Sequence, residues 1–199
     1  MFLPLYDPLV SLMGFGRAGQ ELISQANIRP GDHVLDLGCG TGTLVVMLKR
    51  QHADVQVVGM DPDPKALQRA RTKTERAAVS VQLDQGFADE LPYEKATFDR
   101  VLSSFMFHHL EEDERERASR EVLRVLKPGG SFHLLDFVTK DGASGFFERI
   151  IAGHALMKTN SDERLLRLLT RAGFANVTKV KDGSMLFGVM RMSYFRATV

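Results

Sequence analysis

The hydrophobic pattern of this chain changes period along its length. From residue 32 onward, short runs of consecutive apolar residues alternate with longer segments in which apolar positions recur every three or four residues. This signals a mostly parallel sheet whose strands are covered on both faces by crossover helices. The runs predict strands over residues 33–37, 55–60, 79–83, 100–105 and 131–137, and the longer segments predict helices over 43–51, 64–76 and 112–126. In the third helix Ala118, Val122, Val125 and Leu126 recur at helical spacing, with acids at 111–114 on its positive end and Lys127 on its negative end. Pro128-Gly129-Gly130 is expected to stop it. The alternating charges at 111–117 read as a solvated helix face.

Beyond residue 137 the pattern changes. Segment 138–160 is rich in glycine and aromatic residues, a helix follows over 161–171 and ends at Gly173, and strands are expected near 176–181 and 185–196. Asp182-Gly183 between them reads as a hairpin turn. The chain should therefore close with an antiparallel pair on a parallel sheet. It holds no internal repeat, low-complexity tract or inter-domain linker.

Charge and cysteine content narrow the partners. In 199 residues, 26 Lys+Arg oppose 25 Asp+Glu, so no overall field draws a polyanion and nucleic acid is not the expected partner. One cysteine permits neither a disulfide framework nor a Cys-rich zinc site, no metal is called for, and a reducing cytoplasm fits. The apolar stretch at 1–13 lacks a basic leader and contains Pro4, Asp7 and Pro8, so it reads as mature structure rather than a signal peptide. No eighteen apolar residues run together, and no membrane span is expected.

Chemistry concentrates where the first strand runs into Gly38-Cys39-Gly40-Thr41-Gly42 and then a helix. Alternating glycines let the backbone turn tightly and let a ligand lie against the main chain, at the carboxyl edge where open parallel sheets bind ligands. A phosphate loop would continue Gly-Lys-Ser/Thr, and a dinucleotide fingerprint would be spaced G-x-G-x-x-G; this loop is neither. Asp36, two residues ahead, favours a cationic ligand over a pyrophosphate. Asp61, at the end of the second strand, is placed to accept hydrogen bonds from ribose hydroxyls, and Asp63 is the better cap for the following helix.

Asp36-Leu37-Gly38-Cys39-Gly40-Thr41-Gly42, Asp61, Leu91-Pro92-Tyr93 followed by Phe98-Asp99, and Leu126-Lys127-Pro128-Gly129-Gly130 together resemble a class I S-adenosylmethionine-dependent methyltransferase over about residues 32–137. The likeness is to the small-molecule group that includes the quinone-biosynthesis C-methyltransferases. The resemblance implies an α/β, Rossmann-like, doubly wound seven-stranded sheet with the last strand antiparallel and helices on both faces. It implies a single domain: a helical cover at 1–30, a cofactor-binding core at 31–137, a substrate lid at 138–160, and a C-terminal helix and hairpin at 161–199. The cofactor would be S-adenosyl-L-methionine. Gly38, Cys39, Gly40 and Gly42 would lie under it, Asp36 near its amino end, Asp61 on the ribose, Met60 and Pro62 beside the adenosine, and Ser104 at the end of the fourth strand. The family commonly places an acid four residues before Leu-Pro to hold the adenine amino group, and Phe87 stands there. Phe87 and the Ala88 backbone N–H are the preferred adenine contacts, with Asp89 reaching in as the alternative.

Methyl transfer needs an acceptor aligned with the breaking bond and, for some acceptors, a base. After the fourth strand, His109 or His108 is the candidate base, against a role in ordering the loop. After the fifth, Asp136 either binds an acceptor hydroxyl or amine or anchors the loop. Residues 6–17 with Phe146, Phe147, Ile150, Ile151 and His154 suggest a largely apolar acceptor pocket, or else the core of covering helices or a dimer contact. The expected activity is methyl transfer to O, N or C of a small, partly apolar molecule by a monomer or homodimer. The alternatives are a cofactor-binding regulatory protein whose acceptor cleft is blocked by Phe105, Phe107 or Phe146, and a nucleic-acid methyltransferase. The absence of an Asn/Asp-Pro-Pro-aromatic tetrad lowers the latter, and the loop spacing disfavours a nicotinamide-dependent oxidoreductase.

Overall fold

In the computed structural model, which describes residues 15–138, 161–185 and 190–199, the apolar runs become β1 (His33–Leu37), β2 (Gln56–Asp61), β3 (Gln82–Gln85), β4 (Phe98–Ser104) and β5 (Leu126–Phe137), followed by β6 (Asn176–Met185) and β7 (Met190–Thr198). The helices are α1 (Phe15–Gln25), α2 (Thr43–Gln51), α3 (Pro64–Arg76), α4 (Glu112–Val125) and α5 (Asp162–Ala172). One sheet runs in the order β3-β2-β1-β4-β5-β7-β6. Strands β1 to β5 are mutually parallel, and β7 is antiparallel to both of its neighbours. This is the expected doubly wound α/β sheet. Its order reverses between β1 and β4, so the loops leaving those strands diverge and open a crevice at their carboxyl ends.

Strand alternation splits the core into two layers. Leu35, Leu37, Val101, Phe132 and Leu134 pack against Ala118, Val122 and Val125 of α4 and Leu165 and Leu169 of α5. Val34, Val57, Leu102 and Leu135 pack on the other face against Leu22 and Ile23 of α1, Val45 and Leu48 of α2, and Leu67 of α3. Burial on both faces is why these strands read as unbroken apolar runs. Local signals set the helix ends. Asp63 accepts from the Lys65 N–H ahead of α3, Glu111 and Glu114 form a capping box on α4, and left-handed Gly173 ends α5.

Three expectations are corrected. Strand β3 begins at Gln82 instead of residue 79, because left-handed Ala78 and the Val79 N–H bond to the Thr74 carbonyl prolong the exit from α3. Pro128-Gly129-Gly130 does not end α4, which stops at Val125. These residues bulge within β5, whose pairing with β4 jumps from Phe98 opposite Leu126 to Arg100 opposite Ser131. Asp182-Gly183 is not a turn but part of β6, facing Ser193 and Met192. A Cβ at Gly183 would stand 2.7 Å from the Met192 side chain, and Asp182 accepts from the Ser193 hydroxyl at 3.1 Å. The β6–β7 connection falls at residues 186–189, outside the described residues. The expected lid at 138–160, with Phe146, Phe147, Ile150, Ile151 and His154, and the cover before residue 15 also lie outside them, apart from Val138. Among the described residues no helix is long and apolar enough to cross a membrane.

Candidate active site

The glycine loop is tied to the end of β2. Gly38 N–H and Cys39 N–H donate to the Met60 carbonyl at 2.8 and 2.9 Å, and Gly40 N–H donates to Asp61 Oδ2 at 2.9 Å. At Gly40, φ is +53° and a Cβ would meet nothing within 4 Å, because the residue opens onto a cleft of about 260 Å³. Gly42 is different. It caps α2 at φ +80°, and a Cβ there would lie 2.8 Å from Ala70 Cβ, so it serves helix packing and does not line the cleft. Gly38 lies under the Met106 side chain. Cys39 is buried, and burial first, then the charges of Asp36 and Asp61, push its thiol pKa up, which suits packing rather than nucleophilic chemistry. Thr41 and Thr43 complete this wall, and Lys73 Nζ of α3 donates to their hydroxyls at 2.9 and 2.8 Å, a contact no sequence motif announces.

The carboxylates separate by depth. Asp61 is half-buried on the cleft wall and also accepts from the Asp63 N–H at 2.9 Å. Asp36 is 1% exposed and does not line the cleft; neither of its oxygens has a hydrogen-bond partner among the described residues. Burial, reinforced by Asp61, pushes its pKa up to about 8. Asp36, expected near the amino end of a cationic ligand, is thus a buried carboxyl beneath the loop, apart from the cleft lining. The Met60 side chain is in the core, and its carbonyl is what reaches the loop. Pro62 is exposed beyond Asp61, Phe87 is 66% exposed, and Ala88 packs on the core; none of the four lines the cleft. Asp89 is held by Arg117 at 3.0 Å, so it does not reach inward.

The opposite wall follows β4. Ser104 lines the cleft, and Phe105, at φ +55°, is a non-glycine residue in the left-handed region, a strained conformation of the kind found where function fixes a side chain. Its N–H is bonded to the Leu135 carbonyl, and its ring lies 4.7 Å from Phe15 and 4.6 Å from Phe137, centroid to centroid. A three-residue 3₁₀ turn, Phe107–His109, then points three ways. Phe107 enters the core, so it does not block the cleft. His108 turns inward, 4% exposed, with Nδ1 2.6 Å from Asp136 Oδ1. His109 lines the cleft. Asp136 is fully buried, so of its two expected roles the structure supports the anchor and not the acceptor ligand. Burial first, then the charge of His108, hold the His109 pKa below the ordinary imidazole value, leaving it neutral and able to accept a proton near pH 7.

Phe15 and Gly19 of α1 and Leu44 and Met47 of α2 finish the cleft. Phe15 falls in the 6–17 stretch expected to border an acceptor pocket, whereas Gly19, Leu44 and Met47 carry no sequence signal beyond a helical spacing that fits the core. Arg115 was expected on a solvated face and is instead 3% exposed. Its spacing of three and seven from Ala118 and Val122 put it on the apolar face, and that signal was available.

Residues 34–130 match the family described as methyltransferase domain. An uncharacterized methyltransferase of Synechocystis sp., sll0829, is 36% identical over 171 residues, covering 83% of this chain and 77% of that protein. The demethylmenaquinone methyltransferase of Thermus thermophilus is 35% identical over 151 residues, covering 74% and 68%. Among solved structures, Haemonchus contortus phosphoethanolamine N-methyltransferase 2 in complex with S-adenosyl-L-methionine shares the fold at a TM-score of 0.80 and 15% identity, over 92% of this chain and 52% of that one. With its glycine loop, its switch-point cleft and relatives of this identity and coverage, the chain belongs to the class I S-adenosylmethionine-dependent methyltransferases.

Proposed function

We propose that this enzyme methylates O, N or C of a small, flat, partly apolar molecule held between Phe15, Met47, Phe105 and His109. The residues present fit the methyl donor on three counts: the bare main chain at Gly40, the outward-facing Asp61, and the buried, unpartnered Asp36 beneath a site for a cation. Gly40 would let the donor lie against the backbone, Asp61 would accept from its sugar hydroxyls, and Phe87 would cover its purine face from the rim. When bound, the donor supplies a methyl carbon made electrophilic by the attached sulfonium. Asp36 favours that positive charge through space, and the low dielectric around it strengthens the attraction.

Phe15, Phe105 and His109 face the cleft as an aromatic wall, backed by the contiguous Phe137 and His108 rings. Such a wall excludes water and aligns a flat acceptor, which is most of what displacement requires. His109 removes the acceptor proton where one must leave. The demethylmenaquinone methyltransferase among the relatives acts, by its name, on a quinone-type acceptor, which agrees with an aromatic class. The single buried cysteine fits a reducing cytoplasm. The observation that carries the proposal is the continuity of the Gly40 opening with the Phe105–His109 wall in one cleft. Incubation with a radiolabelled methyl donor and a panel of hydroxylated aromatics, quinols, aliphatic amines and RNA tests it. Label in the aromatic arms is expected; label in RNA alone would contradict it.

A further inference from the structure

We propose that Arg115 of α4 is a positioning residue that decides which of two adjacent histidines faces the cleft. A 3₁₀ turn advances one third of a circle per residue, so rotating the Phe107–His109 turn by a single position would bring His108 to the cleft, turn His109 to the core side that Phe107 now fills, and carry Phe107 toward Asp136. Two contacts oppose that rotation. From inside, Asp136 Oδ1 sits 2.6 Å from His108 Nδ1 and also accepts from the Phe137 N–H at 2.9 Å, which fixes the carboxylate. From the helix side, Arg115 Nε donates to the Phe107 carbonyl at 2.8 Å, and Nη2 lies 3.5 Å from the His108 carbonyl. Two consecutive carbonyls of one turn therefore face one planar guanidinium, whose fixed fork a lysine cannot reproduce. Arg115 is 3% exposed and does not line the cleft, so any effect it has on the acceptor is indirect, passed on by the turn.

The ring it positions sits among charges from three other elements. His109 faces His108 of its own turn, Asp136 of β5, Asp61 of β2 and, across the turn, Arg115 of α4. That rotation would bury the ring that now meets the cleft and would break the His108–Asp136 bond. The inference rests on reading His109 as the group that acts on the acceptor, but the orientation of the turn is measurable without any acceptor.

Carbethoxylation of the free protein by diethyl pyrocarbonate, with each histidine followed by mass spectrometry, reads that orientation. In the wild type His109 should react about tenfold faster than His108, as expected where reactivity tracks the exposed population. Arg115→Met should bring the two rates to within about threefold, and Arg115→Lys should fall between. The split in turnover gives a second reading: His109→Ala should cost less in an Arg115→Met background than in the wild type, with KM for the donor unchanged. A folded Arg115→Met protein that keeps the wild-type preference overturns the proposal. If Arg115→Met does not fold, a folded Arg115→Lys protein with wild-type preference overturns it equally. Loss of the preference with no methyl acceptor found on any panel would leave the positioning role standing and count against the proposed reaction.

Discussion

The wall of the cleft built by β1 and β2 presents main chain, and the wall built after β4 presents rings. On the first, Gly40 faces the ligand space with no side chain, its N–H bonded to Asp61, with Cys39, Thr41 and Thr43 beside it, while Asp36 and Lys73 act from beneath or behind. On the second, Phe105, Met106 and His109 reach the cleft directly, and their directions depend on a strained residue, a short turn and two buried charged groups. A surface of main chain suits a ligand that never changes, because backbone geometry is fixed by the sheet. A surface of side chains can be altered one residue at a time, which suits the partner that differs between enzymes of one fold.

If that division is right, the two walls should fail differently. The largest effect is expected at Gly40→Val. A β-branched residue at φ +53° combined with intrusion into the cleft should weaken S-adenosylhomocysteine binding by about 1,000-fold, roughly 4 kcal/mol, by calorimetry. The melting temperature should change far less than in Gly42→Ala, whose added Cβ strikes Ala70. On the other wall, His109→Ala should lower turnover by about 10- to 100-fold with donor affinity unchanged. Because the His109 pKa lies below the ordinary value, wild-type turnover should climb as pH rises through that lowered pKa and then level off, whereas the variant should lack the climb.

The smallest effect, and the one that probes the charge beneath the loop, concerns Asp36. Its folded pKa, raised to about 8 from 3.8, means the folded state binds the proton more tightly. Stability from this group is therefore present below pH 4 and is lost as pH rises toward 8. A cationic donor reverses the preference, so binding at pH 7 should release about one proton, seen as buffer-dependent heat in calorimetry. Asp36→Asn should remove both the slope and the proton release while weakening binding only a few-fold.

The same division explains what the amino-acid sequence made legible. The β1 strand and the α2 and α3 helices fall where apolar period and capping residues put them, and the glycine spacing with Asp36 and Asp61 pointed to the donor wall, because backbone demands leave local signatures. Asp182-Gly183 misled because a turn dipeptide also suits a strand position where a neighbouring Met192 needs room. Whether His108 or His109 faces outward, whether Asp136 is buried, and that Phe15 and Met47 share a wall with Phe105 depend on contacts between distant segments. Adjacent residues in a turn carry no periodicity from which those directions could be read.

The account stands on a donor resting against the main chain at Gly40, and amide NMR of the labelled protein during titration with S-adenosylhomocysteine examines that contact itself. The Gly40 amide, with those of Thr41 and Ser104, should shift most, and Gly129 in the β5 bulge should not move. Saturable binding that leaves the Gly40 amide in place, or shifts there with NAD and none with S-adenosylhomocysteine, would contradict it.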